Sequence, residues 1–191
     1  MRHKRLITID PGTKCTGVAV WHGGELQAAF PYKPVGDAGL AARNLVLELE
    51  IVRDVHRLHP LDTFARDILT ARSKRSPFSA VIERPGQYEK KVSPESLFIL
   101  ALLAGAYAGS LAANGAEEAR FILASDWKGT VPKPKRAADS YIITRRCARL
   151  LSERELARVE ASKTNASESW DVWDAIGIGL VMLKRAGRGV S

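Results

Sequence analysis

The stretch LITIDPGTKCTGVAVWHGGELQAAF, residues 6–30, decides the architecture. Leu6 to Asp10 and Gly17 to Trp21 are short runs rich in β-branched residues on either side of the turn PGT, and Glu25 to Phe30 follows the pair Gly23-Gly24. Branched side chains fit a pleated surface and paired glycines close tight hairpins, so the stretch predicts three consecutive antiparallel strands. The period then changes. After a loop holding Pro31, Pro34, Gly36 and Gly39, the residues Leu40, Leu47, Ile51, Val55 and Leu58 recur at helical spacing, which predicts a helix of about 18 residues ending before Pro60. SAVIE at 79–83 reads as a fourth strand, Ser93-Pro94-Glu95 as the start of a helix running to 114, and RFILA at 120–124 as a fifth strand. SDWKGTVPKPKR is too rich in proline and cations to continue that strand and reads as a solvated loop. Helices are expected at 137–150 and 152–161 and, after the polar break KTNASES, from Trp170 to Lys184. Three leading strands followed by alternating strands and helices predict an α/β fold, a mixed five-stranded sheet flanked by helices, with residues 1–191 forming one domain.

Composition narrows the function. Hydrophobic residues make up 46% and charged residues 26% of the 191, values that exclude a disordered chain and a disulfide-stapled miniature fold. The two cysteines, Cys15 and Cys147, lack metal-ligand spacing and read as reduced intracellular thiols. The opening MRHKRLITID is basic and then apolar for only about four residues before Asp10, too short for a signal-peptide core. The 29 Lys and Arg against 21 Asp and Glu leave a formal charge of +8, the balance of a protein that meets polyanions, nucleic acid first among them. Between Asp126 and Arg149 seven Lys or Arg face two Asp, which marks that segment for phosphate contact. From Ser96 to Ala116 no residue is charged, and Gly105 and Gly109 fall four apart as in packed membrane helices. Alanine, glycine, serine and asparagine dilute the run, so a helix buried on a sheet is expected rather than a membrane span. Its small face would allow close approach either to that sheet or to a second copy of the chain.

The acids at element ends carry the chemistry. Asp10 closes the first strand and Glu83 the fourth, while Asp171 and Asp174 stand three apart on one face of the last helix. Singly, each has an ordinary explanation: Asp10 as a turn former before Pro11-Gly12, Glu83 as a strand-end surface charge, the two helical acids as partners of the positive helix end. As a set, four carboxylates converging on one sheet edge would repel one another unless a cation intervened, and an all-oxygen cluster suits Mg²⁺ or Mn²⁺ rather than Zn²⁺.

At these residues a resemblance enters. LITIDPGTKCTGVAVW resembles the first motif of the RuvC-type Holliday junction resolvases of the ribonuclease H-like superfamily, AVIERP is similar to their second, and WDVWDAIGIGLVML is similar to the terminal motif in which two acids three apart open a helix. The resemblance implies a ribonuclease H-like sheet and an endonuclease acting on four-way junctions and other branched DNA, and the two-fold symmetry of such a junction predicts a homodimer. It further implies two Mg²⁺ ions, replaceable by Mn²⁺, held by Asp10, Glu83, Asp171 and Asp174. Some relatives carry histidine at the position matching Asp171. Lys128 in DWKGTV resembles a lysine the family uses beside the scissile phosphate, and Lys133, Lys135 and Arg136 follow in a run from which the resemblance singles out no one residue. Tyr88 lies where the family carries an aromatic that touches bases near the crossover, and Lys90 and Lys91 of the same loop are assigned to DNA with it. The basic segment Arg66 to Arg75 matches no role in the family. A cytoplasmic protein of a bacterium or a phage-infected cell, with no membrane partner, is the corresponding expectation.

Other classes share pieces of this pattern. An Asp-Gly turn between two strands also occurs in sugar-kinase and actin-like ATPases, but those need two related domains around a nucleotide and this chain has one copy of the motif. A noncatalytic junction-binding protein of the same fold would have no need to keep all four acids. A YqgF-like nuclease with an RNA-processing role is the nearer rival, and the long uncharged helix and the WKGTVPK segment favour the resolvase.

Overall fold

The computed structural model of the chain describes residues 5–56, 78–86, 93–129, 131, 141–160, 166–187 and 190. Strands β1 (Arg5–Asp10), β2 (Thr16–His22) and β3 (Glu25–Tyr32) form the antiparallel half of a sheet that continues, on the other side of β1, with β4 (Phe78–Arg84) and β5 (Ala116–Leu123), both parallel to their neighbours. The order β3-β2-β1-β4-β5 is the mixed five-stranded sheet that the sequence predicts. β1 is central and buried on both faces, which is why its sequence is nearly unbroken in apolar and β-branched residues.

Strand alternation splits the core in two. Ile7 and Ile9 of β1, Val18 and Val20 of β2 and Ala80 and Ile82 of β4 face helices α1 (Ala38–His56) and α2 (Pro94–Ala113). Leu6, Ala19, Trp21 and Val81 face the opposite layer. That layer contains the one-turn helix α3 (Ala124–Trp127) and helices α4 (Ile142–Leu150), α5 (Glu153–Glu160) and α6 (Ala166–Met182). Ser93 caps α2 as its sequence implies, its hydroxyl accepting the Ser96 N–H at 3.1 Å with Pro94 at the first helical position.

α6 lies directly on the sheet, and the sequence shows how. A Cβ on Gly179 would fall 2.2 Å from the Trp21 ring, one on Gly177 2.5 Å from the Trp127 ring, and one on Gly17 of β2 1.8 Å from the Asp171 carbonyl oxygen. The helix is also pinned along its axis. The Thr8 hydroxyl donates to the Ala175 carbonyl at 2.7 Å while accepting the Trp21 indole N–H at 3.2 Å.

Several boundaries depart from the sequence reading. β5 begins at Ala116 rather than Arg120 and ends before Ala124, which opens α3 inside the segment expected to be loop. α6 begins at Ala166, within the expected polar break, so Asp171 and Asp174 lie beyond the first turn. The helix dipole acts within that turn, which weakens the end-capping explanation for these acids. α2 is not a buried helix: Leu103, Ala104, Tyr107 and Leu111 pack inward, whereas Phe98 (63% exposed), Ile99 (45%) and Leu102 (49%) face outward. Among the described residues, Cβ atoms on Gly105 or Gly109 would meet nothing within 4 Å, so the small face is not used against the sheet. Among the described residues α2 is the helix long and apolar enough to cross a membrane, yet Tyr107 ties it to β2 through a 3.0 Å hydrogen bond with Thr16. The start expected at 137, the helix end beyond His56 and the basic segment Arg66 to Arg75 lie outside the described residues.

A buried acid outside the expected site closes the α5 side. Ser152 and Glu155 form a reciprocal cap, the Glu155 N–H donating to the Ser152 hydroxyl at 3.3 Å and the Ser152 N–H to Glu155 Oε2 at 2.8 Å. Glu155 also accepts the Leu26 N–H at 2.8 Å and both Arg185 Nη atoms, at 2.6 and 3.0 Å. Burial alone would raise its carboxyl pKa; the Arg185 guanidinium, then the Leu26 and Ser152 donors, outweigh it and bring the value from 4.5 down to about 2. A carboxyl whose pKa is lower folded than unfolded stabilises the fold above the unfolded value, and that stabilisation is lost as pH falls through the folded one. The shift corresponds to roughly 3 kcal/mol. Urea unfolding at pH 7 should therefore find Glu155→Gln several kcal/mol less stable than the wild type, with the gap narrowing toward pH 2; a gap independent of pH would contradict the network.

Candidate active site

Register brings two of the expected acids together. Ile9 pairs with Ile82 in the parallel β1–β4 ladder, so Asp10 and Glu83 occupy the next step at the carboxyl ends of neighbouring strands, which lie about 4.8 Å apart across the ladder. Both lie on the α6 face. Asp10 follows Thr8, which bonds to α6, by two residues, and Glu83 follows Val81 of the same layer. Asp174 is adjacent in sequence to Ala175, the residue that Thr8 holds, and is fully buried. The Asp171 backbone rests on Gly17, the residue paired with Asp10, so all four expected acids belong to one end of the sheet.

The region after β5 supplies the counterparts. α3 ends in Trp127, whose ring fills the space left by Gly177 and whose indole N–H donates to Glu83 Oε2 at 2.8 Å. The next residue, Lys128, is largely buried and directs its ammonium between two acids, 3.2 Å from Asp174 Oδ2 and 3.9 Å from Glu83 Oε2. The Tyr141 hydroxyl donates to Asp174 Oδ1 at 2.5 Å, its ring tilted against Trp170 with centroids 6.1 Å apart. Cys147 is fully buried beside this cluster, and its thiol pKa is pushed up, first by burial and then by the charge of Asp174. That thiol stays protonated, and both cysteines are buried.

Trp127 and Tyr141 were not singled out by sequence reasoning. The available signal is general: a buried tryptophan or tyrosine needs an acceptor for its N–H or O–H, and a carboxylate is the strongest one in reach. Tyr88, Lys90, Lys91, Lys133, Lys135 and Arg136, the expected DNA contacts, lie outside the described residues. Among the described residues no three Asp, Glu, His or Cys side chains are already arranged around a metal position. The acids present are nonetheless oxygen donors, and Lys128 demonstrates that a cation is stable between two of them.

Sheet order and acid placement together give an α/β fold, a mixed five-stranded sheet with acids at the carboxyl ends of its central parallel strands. No family model matches the chain, and no curated protein matches it by sequence. Among solved structures the chain is similar to T. thermophilus RuvC in complex with a Holliday junction substrate, at 11% identity and a TM-score of 0.42. It is likewise similar to a second Thermus thermophilus RuvC structure, at 13% identity and a TM-score of 0.44; each likeness spans 94% of this chain and 96% of the other.

Tyr141→Phe removes one hydroxyl at nearly constant shape, leaving a buried carboxylate oxygen short of a donor. Denaturant unfolding at neutral pH should register a loss of about 1–3 kcal/mol, and unchanged stability would mean that the bond contributes nothing.

Proposed function

We propose that the chain is a metal-dependent endonuclease that resolves four-way junctions and related branched DNA by symmetric phosphodiester hydrolysis, leaving 5′-phosphate and 3′-hydroxyl ends. The observation that carries this reading is the gathering of Asp10, Glu83 and Asp174 at one sheet end with the Lys128 ammonium between Glu83 and Asp174. Three features of the sequence favour junctions over other nucleic acids: its first, second and terminal motifs all resemble those of the resolvases, in the same order. The positive formal charge of +8 supplies the attraction for a polyanion.

Asp10, Glu83, Asp171 and Asp174 would hold Mg²⁺, with Mn²⁺ able to substitute, because an all-carboxylate set matches hard cations. Two such ions, when bound, supply positive charge to the attacking and leaving oxygens of an in-line displacement. The chain's own groups do the rest. Trp127 and Tyr141 keep Glu83 and Asp174 in place by hydrogen bonds that add no charge. Lys128 neutralises charge building on the phosphate, while Tyr88, Lys90, Lys91, Lys133, Lys135 and Arg136 contact DNA around the crossover. Asp10→Asn, Glu83→Gln and Asp174→Asn should each abolish Mg²⁺-dependent cleavage of a synthetic four-way junction while junction affinity stays within about threefold, since each substitution removes charge without bulk. Duplex, single-stranded and forked DNA and a structured RNA serve as controls. Wild-type cleavage by any of the three variants, or equal cleavage of the controls, would sink the assignment.

The active unit is a homodimer, as paired nicks on a two-fold symmetric substrate require two equivalent sites. The outward face of α2 suits the contact: Phe98, Leu102, Gly105 and Gly109 follow one another at spacings of four and three, and neither glycine touches the rest of the described chain. Light scattering should give about twice 20.9 kDa. Because a side chain at Gly105 meets no neighbour among the described residues, Gly105→Leu should fold and yet run as a monomer; a variant that remains dimeric would move the interface elsewhere.

A further inference from the structure

Both carboxylate oxygens of Asp174 are engaged, Oδ1 by the Tyr141 hydroxyl and Oδ2 by the Lys128 ammonium. Glu83 Oε2 takes the Trp127 indole and faces the same ammonium. The two neutral donors and the lysine differ in kind. Trp127 and Tyr141 are fixed by packing, one against Gly177 and the other against Trp170. Lys128 is a point charge on a flexible four-carbon stem. Two carboxylates this close and this buried need a positive partner, and the structure meets that need from within the chain. It also accounts for the lack of a ready three-ligand metal arrangement among the described residues: Glu83 and Asp174 are set around an ammonium.

We infer that Lys128 is a resident cation which a divalent ion has to displace from Asp174 and Glu83, so that this one lysine determines how strongly the acid site takes up metal. The inference rests on the reading of these acids as metal ligands. An ammonium and a divalent ion compete for the same Asp174 oxygen, so every metal uptake carries the work of moving Lys128 aside. The displaced ammonium is most stable where another anion receives it, and a phosphodiester lying over the strand ends is such an anion. Metal affinity is accordingly low in the free protein and rises when phosphate is present. The coupling prevents a loaded site from standing open to solvent without substrate.

Calorimetric titration of the DNA-free full chain with Mn²⁺ tests this without any measure of turnover. Lys128→Met removes the charge and keeps most of the stem; it should bind Mn²⁺ at least about tenfold more tightly than the wild type. Lys128→Gln, which retains a polar end, should behave the same way and serves if the Met variant folds poorly. Lys128→Arg keeps the charge and should bind no more tightly than the wild type, which separates the effect from mere disturbance of packing. Affinity in Lys128→Met and Lys128→Gln equal to or weaker than wild type would overturn the inference. If, in that case, the wild type still binds Mn²⁺ and Asp10→Asn does not, the metal reading survives and only the role of Lys128 is lost. Absence of Mn²⁺ binding in the wild type and all Lys128 variants at millimolar concentration would overturn both.

Discussion

The close seat of the last helix on the sheet is the constraint from which the rest of the structure follows. At Gly17, Gly177 and Gly179 the helix, the strands and two tryptophan rings approach so nearly that a methyl group has no room. The hydrogen bond from Thr8 to the Ala175 carbonyl then removes the remaining freedom to slide. At Gly17 the missing side chain lets the backbones of β2 and α6 meet, and at Gly177 and Gly179 it makes room for the two rings. Only in that position does Asp174 reach the level of Asp10 and Glu83, and only there can Trp127 fill the notch at Gly177 while bonding to Glu83.

Two buried acidic centres in the same layer use opposite strategies. Glu155 receives five donor groups from Leu26, Ser152 and Arg185, with the guanidinium fork matched to both carboxylate oxygens. Such an arrangement is closed: it joins α5, the β2–β3 turn and the chain after α6, since Arg185 also donates to the carbonyls of Gly24 and Leu150. The cluster of Glu83 and Asp174 instead has neutral donors, Trp127 and Tyr141, on one side and the Lys128 ammonium on the other. On the inference drawn for Lys128, the first centre is built to stay as it is, and the second to exchange what it holds.

Much of this was legible in the sequence where period and chemistry coincide. β1, β2, β3 and β4 could be read because apolar, branched runs end in glycine, proline or an acid, and those acids proved to lie at one sheet end. α2 was legible as a helix but not in its orientation. A run without charges offers no polar face, so nothing in it distinguishes the stripe of Leu103, Tyr107 and Leu111 from that of Phe98 and Leu102. The start of α6 was hidden because serine and asparagine favour caps and turns, so the run before Trp170 looked like a break. The α5 centre had a signal in Ser152-x-x-Glu155, the spacing of a reciprocal cap, but its partner Arg185 is thirty residues away and no local pattern announces it. Trp127 and Tyr141 follow the same rule: their acceptors lie 44 and 33 residues distant.

The bond between Thr8 and Ala175 joins residues 167 positions apart, and the acid cluster is divided in the same way between the early strands and the late helix. Contacts of such long range are slow to form, since closing a large loop costs entropy before any contact is made. During synthesis the strands carrying Asp10 and Glu83 leave the ribosome well before α6, so for that interval the nascent sheet lacks the cover for its Trp21 face. The order of residues along the gene thus acts as a timer: no ribosome-bound fragment that stops short of Ala175 has assembled the cluster.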